Sequence, residues 1–95
     1  MSKIVVVGSC NIDITVECDR WVHPGETIFG NRLTVSPGGK GANQAVAAAR
    51  LGAEVMMVGC IGDDVYGQLV LKALQENNVD STYVKVLPGE NSGTA

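Results

Sequence analysis

The run Gly38-Gly39-Lys40-Gly41-Ala42-Asn43-Gln44, continuing as Ala45-Val46-Ala47-Ala48-Ala49-Arg50-Leu51-Gly52, constrains the fold more than any other stretch of this chain. Glycine carries no Cβ and tolerates positive φ, so a Gly-Gly pair lets the backbone turn sharply and approach other groups closely. The alanine-rich segment that follows has apolar residues at 42, 45, 46 and 49 and reads as a helix from about Gly41 to Leu51, stopped by Gly52. Lys40 and Asn43 then lie at its N-terminus, beside unpaired backbone N–H groups and the positive end of the helix dipole. That environment suits a hydroxyl-rich or anionic ligand. Two phosphate-binding classes do not fit. A P-loop lysine is followed by Ser or Thr, whereas Lys40 precedes Gly41. The dinucleotide fingerprint needs a third glycine, which neither Gly39-Lys40-Gly41-Ala42-Asn43-Gln44 nor Gly8-Ser9-Cys10-Asn11 supplies.

The segment Asn11-Ile12-Asp13-Ile14-Thr15-Val16-Glu17 alternates polar and apolar, the pattern of a half-buried strand. Asn11 and Asp13 therefore share a face, roughly 7 Å apart. A carboxylate accepts from two hydroxyls, and an amide both donates and accepts. Such a pair, next to the Gly-Gly helix start, is suited to bracketing a vicinal diol. Around it, Lys3 to Gly8 reads as a buried strand, and Trp21 to Gly25 as a turn. Glu26 to Val35 reads as a second extended arm, and Glu54 to Gly59 as a strand. Asp63 and Asp64 cap a helix over about 65–77, with the apolar stripe Val65, Leu69, Val70, Ala73 and Leu74. A short strand over Tyr83 to Leu87, a Pro88-Gly89 turn and a strand starting at Gly93 complete the chain. This order predicts an α/β fold carrying a two-stranded β insertion. Only 4% of residues are aromatic while 45% are hydrophobic, so the core rests on Val, Ile, Leu and Ala, as a parallel sheet prefers.

A net charge of −3 without a Lys/Arg cluster argues against a nucleic-acid surface. No apolar run approaches the ~20 residues of a membrane span. Met1-Ser2-Lys3 leads directly into a strand and lacks the long apolar region of a signal peptide, so a cytoplasmic location is the expectation. Cys10, Cys18 and Cys60 are odd in number and lack metal-ligand spacing; reduced thiols are expected, with Cys60 buried at a strand end. His23 sits in a Pro-Gly turn without a Ser, Cys or carboxylate at motif spacing. Neither His23 nor the Asp63-Asp64 pair is assigned a catalytic or metal-binding role.

Taken together, Val5-Val6-Val7-Gly8-Ser9-Cys10-Asn11-Ile12-Asp13, Pro24-Gly25-Glu26-Thr27, the Gly-Gly-Lys-Gly-Ala-Asn-Gln string, Leu51-Gly52-Ala53 and Gly59-Cys60-Ile61-Gly62-Asp63-Asp64-x-x-Gly67 resemble the ribokinase-like (PfkB-type) carbohydrate kinase family. The resemblance covers essentially the whole chain. It implies the N-terminal portion, residues 1–95, of an α/β sandwich whose lid strands are about 11–18 and 26–35. It also implies sugar contacts from Asn11, Asp13, Gly39, Lys40 and Asn43, with Gly41 in the same loop. The implied reaction is ATP-dependent phosphorylation of ribose to ribose 5-phosphate by the longer parent protein. ATP, Mg2+ and the catalytic aspartate belong to a C-terminal part outside these 95 residues, so the chain alone is expected to be inactive. Family lids also interlock as a homodimer, and a two-stranded arm with open edges independently needs a partner. The alternatives are a kinase for another sugar or a nucleoside, and a non-catalytic sugar-binding or dimerising fragment. The mass of the intact protein separates the last from the rest.

Overall fold

Apolar segments of two kinds, continuous and alternating, sort into two small sheets. The computed structural model describes residues 2–95. In chain order these form β1 (Lys3–Val7), β2 (Asn11–Glu17), β3 (Arg32–Gly38), α1 (Lys40–Arg50), β4 (Glu54–Gly62), α2 (Val65–Glu76), β5 (Val79–Leu87) and β6 (Gly93–Thr94). The valine- and isoleucine-rich strands make a parallel sheet in the order β1-β4-β5. The arm is a second sheet, β3-β2-β6, in which β2 runs antiparallel to β3 and parallel to β6.

Parallel neighbours require crossovers, and right-handed crossovers advancing in one direction put both helices on one face. That face is the core. Val55, Met57 and Ile61 of β4 and Val79 and Val84 of β5 pack with Ala42 and Ala45 of α1 and Val70 and Leu74 of α2. Small alanines let α1 lie close to the sheet. Cys10 and Ile12 extend the core toward the root of the arm.

The opposite face is bare. Val5 and Val7 pair in register with Met56 and Val58, and Val58 with Tyr83. Val7 is 77% and Tyr83 59% exposed. The expected burial of the first strand is therefore not observed: β1 is a sheet edge with one face uncovered. Cys60 projects on the same bare side and is exposed, whereas Cys10 is the buried cysteine, the reverse of the expectation for Cys60.

Element boundaries also differ from the sequence reading, and β4 runs on to Gly62 rather than ending at Gly59. The second arm strand is Arg32–Gly38 and not 26–35, because residues 18–31 close on themselves as a loop. Arg20 donates to both carboxylate oxygens of Glu26, at 2.7 and 2.8 Å, and Asn31 donates to Asp19 at 2.7 Å. β3 continues through Pro37, which an edge strand tolerates. β5 starts at Val79 rather than Tyr83, directly after Asn78 turns the chain at φ 59°. In α2 the buried line is Gly67, Val70 and Leu74, while Val65 and Leu69 are exposed. Docking of the first turn against the end of β4 sets that rotation.

Candidate functional site

Pairing of β2 with β3 divides the arm by chemistry. Asn11, Asp13, Thr15 and Glu17 stand opposite Gly38, Ser36, Thr34 and Arg32 on one face. Ile12, Ile14 and Val16 stand opposite Pro37, Val35 and Leu33 on the other. The period-two pattern thus yields a polar face and an apolar face, with the polar face running down to the glycine turn.

Asn11 and Asp13 are half-buried at the root of the polar face. The Asp13 carboxylate lies directly over Gly38: a Cβ there would sit 2.8 Å from its Cγ. Gly39 then turns the chain at φ 97°, a conformation L side chains avoid, and a Cβ on it would press 2.8 Å from the Ser9 carbonyl oxygen. This turn places the start of α1 against the β1–β2 connection. The Ala42 N–H donates to the Ser9 carbonyl at 2.9 Å, and the Asn43 N–H donates to the Gly39 carbonyl at 2.9 Å. Gly41 is buried beneath the turn, with no room for a side chain against Gly8 and Ser9.

Asn11, Asp13, Gly38 and Gly39 are therefore gathered, while Lys40 and Asn43 stand exposed on the first turn of α1. Asn43 does not line the same hollow as Asn11. Its side chain borders a groove between α1 and α2 shared with Pro37 and Gly38, so Gly38 is the wall common to Asp13 and Asn43. Asn11 instead borders a crevice at the C-terminal end of β1, beside the C-terminal half of β4, with Ser9, Cys10, Cys60 and Gly93. That is where ligands enter open α/β sheets. Cys10 forms part of its wall; burial, and secondarily the nearby Cys60, pushes its thiol pKa up, so it is held as a neutral thiol.

Two neighbours of the site were not legible in the sequence. Gly93 pairs with Asn11 across β2 and β6, and a Cβ on Gly93 would meet the Asn11 side-chain oxygen at 2.6 Å. The strand expected to start at Gly93 without a partner thus finds one upstream. Ser92, just before it, is 5% exposed and hydrogen-bonded to Asp64. The Asp63-Asp64 pair is occupied: Asp63 accepts from the Gly89 N–H, and Asp64 accepts from Gly67 and Ser92. His23 lies exposed in the loop of the arm.

The model of the pfkB family carbohydrate kinases matches residues 1–95. The ribokinase of Bacillus subtilis (strain 168) is 50% identical over 95 residues, which is all of this chain and 32% of that relative. The structure of Arabidopsis thaliana ribokinase complexed with ribose and ATP superposes with a TM-score of 0.85 at 40% identity, covering 98% of this chain and 30% of that one. The ribokinase from Cryptococcus neoformans var. grubii serotype A in complex with ADP gives 0.81 at 43%, covering 100% and 30%. The chain spans about a third of the length of the curated relatives it matches. With a family model matched from end to end and the motif residues folded around one glycine turn, this chain belongs to the pfkB family of carbohydrate kinases.

Proposed function

We propose that this chain is the N-terminal, sugar-binding portion of a cytoplasmic ATP-dependent ribose kinase, with the arm of β2 and β3 acting as its lid. The observation that carries the reading is the placement of Asn11 and Asp13 on one strand face over Gly38 and Gly39, in a chain 40% identical to a ribokinase solved with ribose and ATP. Asp13 would accept from sugar hydroxyls, and Asn11 and Asn43 would donate to and accept from them. Lys40 and the backbone around Gly39 and Gly41 would complete the contacts at the positive end of α1. Together these bonds would fix which hydroxyl faces the phosphoryl donor. Positioning is a large part of phosphoryl-transfer catalysis.

The sugar's hydroxymethyl oxygen would attack the γ-phosphate of ATP, releasing ADP and ribose 5-phosphate. Magnesium supplies electrostatic shielding of the phosphates in such reactions. The adjacent carboxylates of this chain do not fit an ion, since Asp63 and Asp64 already accept from Gly89, Gly67 and Ser92. Nucleotide, ion and general base are assigned to the remaining part of the protein. The test is ADP release by the full-length protein with ATP and a panel of ribose, deoxyribose, fructose and a nucleoside. Ribose should give the highest kcat/KM and a product phosphorylated at the terminal hydroxymethyl. Absence of ribose-dependent ADP release, or a clear preference for another acceptor, overturns the assignment.

A further inference from the structure

Asp64 caps α2 at the far end of β4, yet two of its three side-chain hydrogen bonds leave the helix. Its Oδ1 accepts from the Gly67 N–H at 2.9 Å, the ordinary capping bond, and from the Ser92 hydroxyl at 2.7 Å. Its Oδ2 accepts from the Ser92 N–H at 2.8 Å. The Ser92 oxygen in turn accepts from the Gly62 N–H at 2.9 Å. Ser92 is thus tied to the last residue of β4 and to the cap of α2 at once, in a buried position. Gly62 permits the approach, because a Cβ on it would lie 2.5 Å from the Ser92 nitrogen. Asp63 fixes the same loop one step earlier, accepting from the Gly89 N–H at 2.7 Å while its own N–H donates to the Glu90 carbonyl at 3.2 Å.

The residue after Ser92 touches the site. Gly93 pairs with Asn11 and Thr94 with Ile12, and the ladder continues through the Ala95 N–H to the Ile12 carbonyl (2.9 Å) and the Ile14 N–H to the Ala95 carbonyl (2.7 Å). The Asn11 side-chain oxygen lies 2.6 Å from where a Gly93 Cβ would be. A rigid chain of contacts therefore runs from α2 through Ser92 and Gly93 to Asn11 and the root of the arm.

We propose that Asp64 and Ser92 are positioning residues for the sugar site: their contact fixes β6, which sets Asn11 and the root of the lid. The inference rests on the ribose-kinase reading only for its kinetic readout. Asp64→Asn separates the two roles of the side chain, because Asn is as good an N-cap but presents an amide N–H toward the Ser92 N–H. Ser92→Ala removes the hydroxyl, and Ser92→Thr keeps it.

In the full-length protein, Asp64→Asn and Ser92→Ala should raise the KM for ribose about tenfold, the size of one lost hydrogen bond, with the KM for ATP little changed. Ser92→Thr should stay near wild type. By hydrogen exchange, amides of residues 11–14 and 93–95 should lose protection in Asp64→Asn and Ser92→Ala, while those of 54–62 keep theirs. An equal rise in both KM values, or an unchanged ribose KM in a folded variant, overturns the positioning role. If the wild type phosphorylates a different sugar, the function reading fails, and that sugar's KM replaces ribose in the same comparison. If it phosphorylates none, the exchange pattern decides: protection unchanged in residues 11–14 and 93–95 overturns the contact chain.

Discussion

Asp13 sits where a strand, a glycine and a helix start converge, and that location is what makes one carboxylate matter. A side chain at Gly38 would occupy the space it uses, and Gly38 also walls the groove beside Asn43. On the proposed sugar-site reading, replacing either polar residue leaves the turn intact but removes one hydrogen-bonding partner. A hydrogen bond to a charged acceptor is worth about 1.5–3 kcal/mol. Asp13→Ala in the full-length protein should therefore raise the sugar KM by about one to two orders of magnitude and Asn43→Ala, which loses neutral bonds, by up to about tenfold, with the nucleotide KM little moved. Initial-rate kinetics over both substrates checks this, and equal effects on both would remove these residues from the sugar site. The shared face of Asn11 and Asp13 was legible because alternation is a local signal. Gly38 beneath Asp13 was not, since that contact depends on the β2–β3 register, which the loop of 18–31 decides. Ser92 gave no signal at all: a lone serine has no periodicity, and its partner Asp64 is distant in sequence.

Elements with local start and stop signals came out close to expectation. α1 ends at Arg50 with Gly52 beyond it at φ 97°, and α2 begins after the Asp64 cap. The boundaries that moved depend on tertiary contacts, such as the Asn31–Asp19 hydrogen bond that closes the loop of 18–31 across twelve residues. Capping of α2 carries a pH signature. Hydrogen bonds from the Ser92 hydroxyl, then the Ser92 and Gly67 N–H groups, hold the Asp64 carboxyl below the usual carboxylate range. A lowered pKa in the fold means the ionised form is favoured there, so its contribution is full above the unfolded value of about 3.9. It declines as pH falls through the folded value. Asp64→Asn should accordingly flatten the fall of stability between about pH 5 and 2, while remaining capped at neutral pH. Urea denaturation across that range measures it, and parallel curves for the two proteins would show that the Asp64 bonds do not contribute.

At the scale of the whole molecule, two broad apolar surfaces remain uncovered among the described residues: the sheet face of Val5, Val7 and Tyr83, and the outer face of the arm. The first lies in the parallel sheet, and the chain spans about a third of its relatives' length. Produced alone, residues 1–95 should self-associate and show no sugar-dependent ADP release, because exposed apolar sheet surface and open edges favour pairing between copies. A soluble monomer with kinase activity would contradict this. The second surface belongs to the arm. Ile14, Val16, Leu33 and Val35 line one face, and Trp21 and Phe29 stand 92% and 97% exposed in the loop beyond it. The polar face of the same strands carries Asn11 and Asp13, so on the proposed reading the apolar side of the arm faces away from the sugar. A second arm, placed apolar face to apolar face and edge to edge, covers the exposed side and leaves the polar one free. The full-length protein should therefore be a dimer joined through β2, β3 and the loop between them. Ile14→Lys or Phe29→Glu, introducing a charge into that contact, should shift it toward monomer and raise the sugar KM together, since the arm that carries Asn11 and Asp13 loses its support. Light scattering and kinetics on the same samples test the coupling: a monodisperse wild-type monomer, or a monomeric variant with unchanged sugar KM, would break the link between assembly and the site.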